Sequence, residues 1–278
     1  MDGQATVEPT FRELHEQPGA FVIPNPWDIG SARILESMGF KALATTSAGL
    51  AFSLGLPEGS VGRDAVLSHC RDLVSAVNIP VSADMEKGFG DSPEAAAETI
   101  IAAAATGLAG CSLEDHTGDP DDPIYPFELA VERVQAAVEA ERALDRDFVF
   151  TARSENLLWG RDDLDDTIRR LQAFEAAGAG VVYAPGLRDL ETIRTVCSAV
   201  SCPVNVVMGM PGVVFGVQDL AEAGVSRVSV GSAFARLVYG RLMDAANEIL
   251  WQGTFTFARE AAAFSTLDDI FRAAGKKA

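Results

Sequence analysis

Short apolar runs and longer amphipathic stretches alternate along the chain at a near-constant spacing. Apolar runs at 21–23, 41–45, 79–83, 109–113, 148–152, 180–184, 203–207 and 227–230 read as strands. They are continuous rather than alternating, the pattern of strands covered on both faces. Helical stretches at 29–38, 63–77, 93–105, 127–144, 164–177, 190–200, 217–223 and 233–250 separate them. Gly39, Gly107, Gly178 and Gly224 punctuate the units as helix terminators. Eight strand–helix units between residues 21 and 250 predict an α/β fold, a (β/α)8 TIM barrel. An open doubly wound sheet fits less well, because Asn25-Pro26-Trp27-Asp28 follows the first strand where a Gly-rich phosphate turn would stand. The expected organisation is one barrel domain over 1–278, with 254–278 as a C-terminal helical extension. Its leftover apolar positions suit either a partner subunit or the barrel's own end.

In such a barrel, catalytic groups stand at the C-terminal ends of the strands. Those ends carry Asn25, Ser47, Asp84 and Glu86, Glu114 and Asp115, Arg153 and Glu155, Tyr183, and Asn205. The opposite ends carry Lys41, Asn78, Cys202 and Arg227, read as turn and solvent residues. Polar chemistry is therefore expected at one mouth. The densest part is Asp84-Met85-Glu86, two acids pointing the same way on extended backbone at the end of an apolar run. Alone, the pair reads either as solvated loop acids or as a metal site. Glu114 on the next strand makes three carboxylates, whose mutual repulsion is about 4 kcal/mol per pair at an effective dielectric near 20. A divalent cation relieves it. With no His or Cys beside these acids, a hard ion is favoured, Mg2+ with Mn2+ as the alternative, and water completing its shell. Arg153 supplies a second positive charge shaped for a carboxylate or phosphonate; its competing role is an ion pair with Glu155 or Glu114.

Weaker signals surround this group. The turn Ser47-Ala48-Gly49-Leu50 presents backbone N–H groups to an anion. Tyr183 serves packing or chemistry, and His116 reads as an acid, a base or a surface residue. Asp119-Pro120-Asp121-Asp122 reads as a gate or a solvated turn, and Met208-Gly209-Met210-Pro211-Gly212 as a turn above the mouth.

Charge narrows the partners. A formal net charge of −18 argues against nucleic acid and anionic membrane surfaces. No stretch of about 18 apolar residues occurs to span a membrane. The polar, acidic start at 1–9 lacks a secretory pattern, and four cysteines without a CxxC spacing suit free thiols, so the expected compartment is the cytoplasm.

Together these residues resemble the isocitrate lyase/phosphoenolpyruvate mutase superfamily. Asp84-Met85-Glu86-Lys87-Gly88-Phe89-Gly90 is similar to its Asp-x-Asp-x-Gly-Tyr-Gly segment, Leu113-Glu114-Asp115 to its Ile-Glu-Asp, Ala152-Arg153 to its Ala-Arg, and Ser47-Ala48-Gly49-Leu50 to its substrate turn. The resemblance implies a Mg2+-dependent lyase or decarboxylase of small α-oxo or α-hydroxy dicarboxylates, acting through a metal-stabilised enolate. It implies Asp84 as direct metal ligand, Glu86 and Glu114 on metal-bound waters, and Arg153 with the N–H groups of Ala48, Gly49 and Leu50 on the substrate carboxylate. Tyr183, Asn205 or His116 would handle protons or orientation. It also implies a homotetramer with swapped C-terminal helices. One departure stands out. The lyase branch carries a Lys-Lys/Arg-Cys-Gly-His loop after strand four, whereas 116–126 here contains no Cys. Two alternatives accompany this reading: phosphonopyruvate hydrolase or mutase chemistry on a P–C bond, and a barrel that binds a carboxylate without catalysis.

Overall fold

The computed structural model describes residues 9–274; the ends of the expected domain, 1–8 and 275–278, lie outside the described residues. Eight parallel strands form the sheet: β1 (Phe21–Ile23), β2 (Leu43–Ala44), β3 (Val81–Asp84), β4 (Gly110–Glu114), β5 (Val149–Arg153), β6 (Val181–Tyr183), β7 (Val204–Val207) and β8 (Arg227–Ser229). Their order, β1-β8-β7-β6-β5-β4-β3-β2, wraps the sheet into a nearly closed (β/α)8 barrel. Between β1 and β2 the seam is closed by the Ala44 N–H bonded to the Pro24 carbonyl, at 3.1 Å. Asn25 fastens it further. Its Nδ2 donates to the Thr45 carbonyl at 2.9 Å, while its Oδ1 accepts the Val230 and Gly231 N–H groups, both at 2.9 Å.

Helices α1 (Phe11–Glu16), α2 (Ile29–Ser37), α3 (Ser47–Ser53), α4 (Arg63–Ala76), α5 (Pro93–Ala104), α6 (Phe127–Arg142), α7 (Leu164–Ala177), α8 (Leu190–Ala199), α9 (Val217–Glu222), α10 (Ala233–Gln252) and α11 (Phe264–Ala274) complete the described elements, with a 3-10 turn at Thr256–Arg259. The main core lies between barrel and helices, where Leu73, Ile100, Phe150, Leu171 and Phe174 are fully buried. A second cluster under the barrel joins Phe11 and Leu14 of α1 to Ile23, Ala42, Val149 and Val181. This plug was absent from the sequence reading; six residues give too short a periodicity to see, although the Thr10–Glu13 capping box marks its start.

Two expectations change here. Residues Ser47 to Leu50 are the first turn of α3 rather than an open turn, because the Thr46 side chain caps the Gly49 N–H and so starts a helix. Arg227 is not a solvent residue. It is 5% exposed, inside the lower barrel. On α10 only Ala235 is buried, leaving Leu242, Met243, Leu250 and Trp251 exposed, while α11 packs against α2 of its own chain. No described helix is long and apolar enough to cross a membrane.

Candidate active site

Parallel register aligns Glu114, Arg153, Tyr183 and Asn205 as successive ladder partners across β4–β7, with Asp84 opposite Ser112. Arg153 stands at the centre. Its Nη1 lies 3.0 Å from Asp84 Oδ1, and its Nη2 lies 3.2 Å from Glu114 Oε2 and 2.8 Å from Glu155 Oε1. Its carbon sits 4.9 Å above the Tyr183 ring centre. Burial opposes the charge, yet Glu155, Glu114 and Asp84 hold the guanidinium well above its usual pKa. Glu155 is 1% exposed, and burial pushes its carboxyl up against the pull of Arg153. The other Asp84 oxygen accepts from Ser47 Oγ at 2.9 Å, so the small residue opening α3 touches the acid ending β3.

Glu86 leaves the strand in the left-handed region, φ 49°, and Phe89 follows at φ 60°. Such non-Gly residues cost of order 1–3 kcal/mol and persist only where the surroundings fix them. Here the surroundings do. Arg133, buried beneath the loop, donates to the carbonyls of Lys87, Gly90 and Ser92. Lys87 Nζ reaches Asp91 at 2.7 Å and the Thr117 carbonyl at 2.6 Å, and Tyr125 Oη donates to Asp91 at 2.5 Å. The loop after β4, pinned by an antiparallel bridge between His116 and Ile124, is thereby tied to the acid loop. Held this way, the Glu86 carboxyl is pushed up to about 7 by burial and by the charges of Asp84, Glu114 and Glu58.

Glu58 is the residue the sequence reading missed. It lies in the insertion between α3 and α4 and lines the mouth cavity. Desolvation, with the charges of Asp84 and Glu114, raises its carboxyl too. The acidic group thus holds four carboxylates, Glu58, Asp84, Glu86 and Glu114, against Arg153, itself shared with Glu155. All donors are oxygen. Among the described residues no three acidic, His or Cys side chains converge closely enough to cage a metal directly. An all-oxygen donor set of this kind matches a hard ion rather than a soft one.

The remaining candidates separate. Asp84, Arg153, Tyr183, Asn205, Ser47 and Ala48 line a cavity of about 190 Å³ that enters the barrel. Glu86, Glu114, His116, Gly49 and Leu50 do not line it. Of the three N–H groups expected to hold an anion, that of Gly49 is taken by Thr46 Oγ1 and that of Leu50 by the Thr46 carbonyl, leaving Ala48. Helix formation consumed the other two. His116 stacks on Trp159, ring centres 3.9 Å apart and planes 7° apart, with Nδ1 3.7 Å from Glu114 Oε1. Asn205 is buried below, donating to Ser229 Oγ and accepting from Arg227 Nε. Asp115, next to Glu114 but on the other face, pairs with Arg170 at 3.0 Å; burial pushes its carboxyl up to about 6.

The sequence profile of the phosphoenolpyruvate phosphomutase family matches residues 11–250. The chain belongs to this family. A solved structure from Burkholderia cenocepacia J2315, described as a candidate lyase/mutase, is similar to this phosphomutase-family chain with a TM-score of 0.92 at 54% identity, covering 94% of each chain. The 2-methylisocitrate lyase of Escherichia coli strain K12 is 32% identical over 202 residues, covering 70% of this chain and 67% of its own. A solved 2,3-dimethylmalate lyase, a member of the PEP mutase/isocitrate lyase superfamily, has a TM-score of 0.82 at 25% identity, covering 93% of this chain and 92% of its own. The phosphomutase family and its structural neighbours are lyases and mutases of that superfamily, and the resemblance read from the motifs agrees with them.

Proposed function

We propose that this protein is a Mg2+-dependent lyase that cleaves a C–C bond in a small α-oxo or α-hydroxy carboxylate. The observation that carries the reading is the excess of carboxylates at the mouth: Asp84 and Glu114 pair with Arg153, and their charges, with desolvation, raise the carboxyls of Glu58 and Glu86. An ion held by Asp84, with Glu86, Glu114 and Glu58 on its waters, would supply Lewis-acid stabilisation of negative charge growing on substrate oxygens. Arg153, fixed by its carboxylate partners, orients the substrate's carboxylate from the floor side of that group. The Ala48 N–H offers a donor from the start of α3, while Ser47 Oγ, its proton given to Asp84, holds that acid in place. Tyr183 lines the cavity and keeps its proton, because burial raises its pKa. It is better placed than His116, which lies off the cavity wall, to deliver that proton to the departing fragment.

The purified protein is to be assayed with Mg2+ against oxaloacetate, 2-methylisocitrate, isocitrate and 2,3-dimethylmalate, following pyruvate and glyoxylate. Turnover of at least one is expected, with loss on chelation and recovery on adding Mg2+. Asp84→Ala is expected to lower the rate by at least about 100-fold. Phosphate release from phosphonopyruvate instead would move the reaction to a P–C bond. No turnover, together with unchanged Mg2+ binding in Asp84→Ala, sinks the reading. The same proposal includes assembly as a homotetramer, supported by the apolar face of α10.

A further inference from the structure

The cavity does not stop at the acidic mouth. TIM barrels ordinarily fill their interior with layers of bulky branched residues. Here small and polar side chains, Ala44, Ser82, Ser112 and Ser229 among them, line the same cavity as Arg227. That guanidinium is 5% exposed and holds three neutral partners: Asn205 Oδ1 at 2.8 Å, Thr151 Oγ1 at 3.1 Å and His15 Nε2 at 3.1 Å. A guanidinium has five N–H donors, so two remain for a further acceptor. Among the described residues no carboxylate is ion-paired with Arg227; Asp84, Glu114 and Glu155 turn to Arg153 instead. His15 donates its Nδ1–H to the Phe11 carbonyl at 2.8 Å and so presents only a neutral lone pair. Tyr183, whose phenolate would offset the charge, keeps its proton because burial raises its pKa. Desolvation lowers the guanidinium itself to about 10, which leaves it charged at neutral pH.

A buried ion left unpaired is strongly destabilising, a strain that an arriving anion relieves. The route to the floor limits which anion arrives. Helix α1 plugs the barrel from below, where Phe11 and Leu14 bury against Ile23, Val149 and Val181. Entry therefore runs through the mouth, past Asp84 and Glu58, which line the same cavity. These acids repel an anion in proportion to its charge, so a single charge enters more readily than a dianion such as sulfate. Donors are few as well. Asn205 spends its Nδ2 on Ser229 Oγ, and the small side chains around Arg227 offer hydroxyls alone. A compact ion is satisfied by two N–H groups and a hydroxyl, whereas a tetrahedral oxyanion needs more.

We infer that Arg227, with Ser229 beside it, holds a small inorganic monoanion of the halide class, such as chloride, on the floor of the barrel. The ion completes the barrel interior rather than the reaction. The site is therefore independent of the lyase reading, and no substrate enters its test.

Melting temperatures of the full chain are to be compared in sodium chloride, sodium bromide and sodium isethionate at one ionic strength. Screening of surface charge is equal in the three, whereas the isethionate sulfonate is too bulky for the floor. A saturable rise in chloride and in bromide over isethionate is expected. Arg227→Met is expected to raise the half-saturating chloride concentration by roughly tenfold or more, the factor carried by a charge-assisted hydrogen bond. Ser112 stands opposite Thr151 in the β4–β5 register. Ser112→Val fills the cavity there without removing an Arg227 hydrogen bond; it should weaken chloride in the same way, and it decides the matter if Arg227→Met does not fold. Crystals soaked in bromide are expected to give an anomalous peak within hydrogen-bond distance of Arg227 Nη1 or Nη2. Equal melting temperatures in chloride and isethionate overturn the site, as does a chloride effect undiminished in a folded variant. Bromide found only on the outer surface, an adventitious ion only, overturns it too.

Discussion

Three carboxylates close on the single guanidinium of Arg153, and that geometry cannot be copied by an ammonium group. Arg153→Lys keeps the charge but reaches fewer of its partners. It is expected to lower turnover by about 100-fold or more, read as kcat with the dicarboxylates above. Arg153→Met goes further, stranding Glu155 in the interior; a loss of about 3–5 kcal/mol in denaturant unfolding is expected. His15 makes a different prediction. Burial and the charge of Arg227 lower its pKa from 6.5 to about 3. Between those values the unfolded chain binds a proton that the folded chain refuses, so this contribution is complete above 6.5 and is lost as pH falls below it. By pH 4.5 the loss amounts to about 3 kcal/mol. His15→Gln retains an acceptor for Arg227 and should flatten the fall between pH 6.5 and 4.5; equal slopes in the two proteins would exclude His15 as its source.

The strands reach the mouth at different heights, and the connections make up the difference. β2 is two residues long and meets β1 through little more than one backbone bond, so Asn25 does the work of a missing ladder. Asn25→Ala orphans the Val230 and Gly231 N–H groups and the Thr45 carbonyl. A destabilisation of about 2–4 kcal/mol is expected, with faster amide exchange concentrated at β1, β2 and the end of β8. A drop below about 0.5 kcal/mol would mean that water replaces the side chain. The loop after β4, read as gate or solvated turn, is a short hairpin bound to the acid loop through Lys87, Asp91 and Tyr125. Its residues therefore set the position of Glu86 rather than hanging free. α3 carries the opposite lesson: reading the segment as a turn assigned to substrate two N–H groups that the helix, started by Thr46, needs.

α10 bears Leu242, Met243, Leu250 and Trp251 in solvent, and a subunit interface would cover them. Sedimentation at micromolar concentration is expected to report a tetramer, and Leu242→Glu with Trp251→Glu to shift it to smaller species; a wild-type monomer would refute the assembly. The sequence by itself determined the eight-unit alternation, the barrel, and the mouth that carries Asp84, Glu86, Glu114 and Arg153. These follow from periodicity and from which residues end each strand, both local properties of the chain. Only tertiary structure decided which neighbour faces inward, as with Glu114 against Asp115, and which insertion folds over the mouth, as with Glu58. Arg227 shows the reason most clearly. It is the first residue of β8 and reads as a surface turn, yet β1–β8 closure and the α1 plug enclose it within the barrel. Enclosure depends on elements more than 200 residues apart meeting around one axis, and no local pattern encodes that meeting.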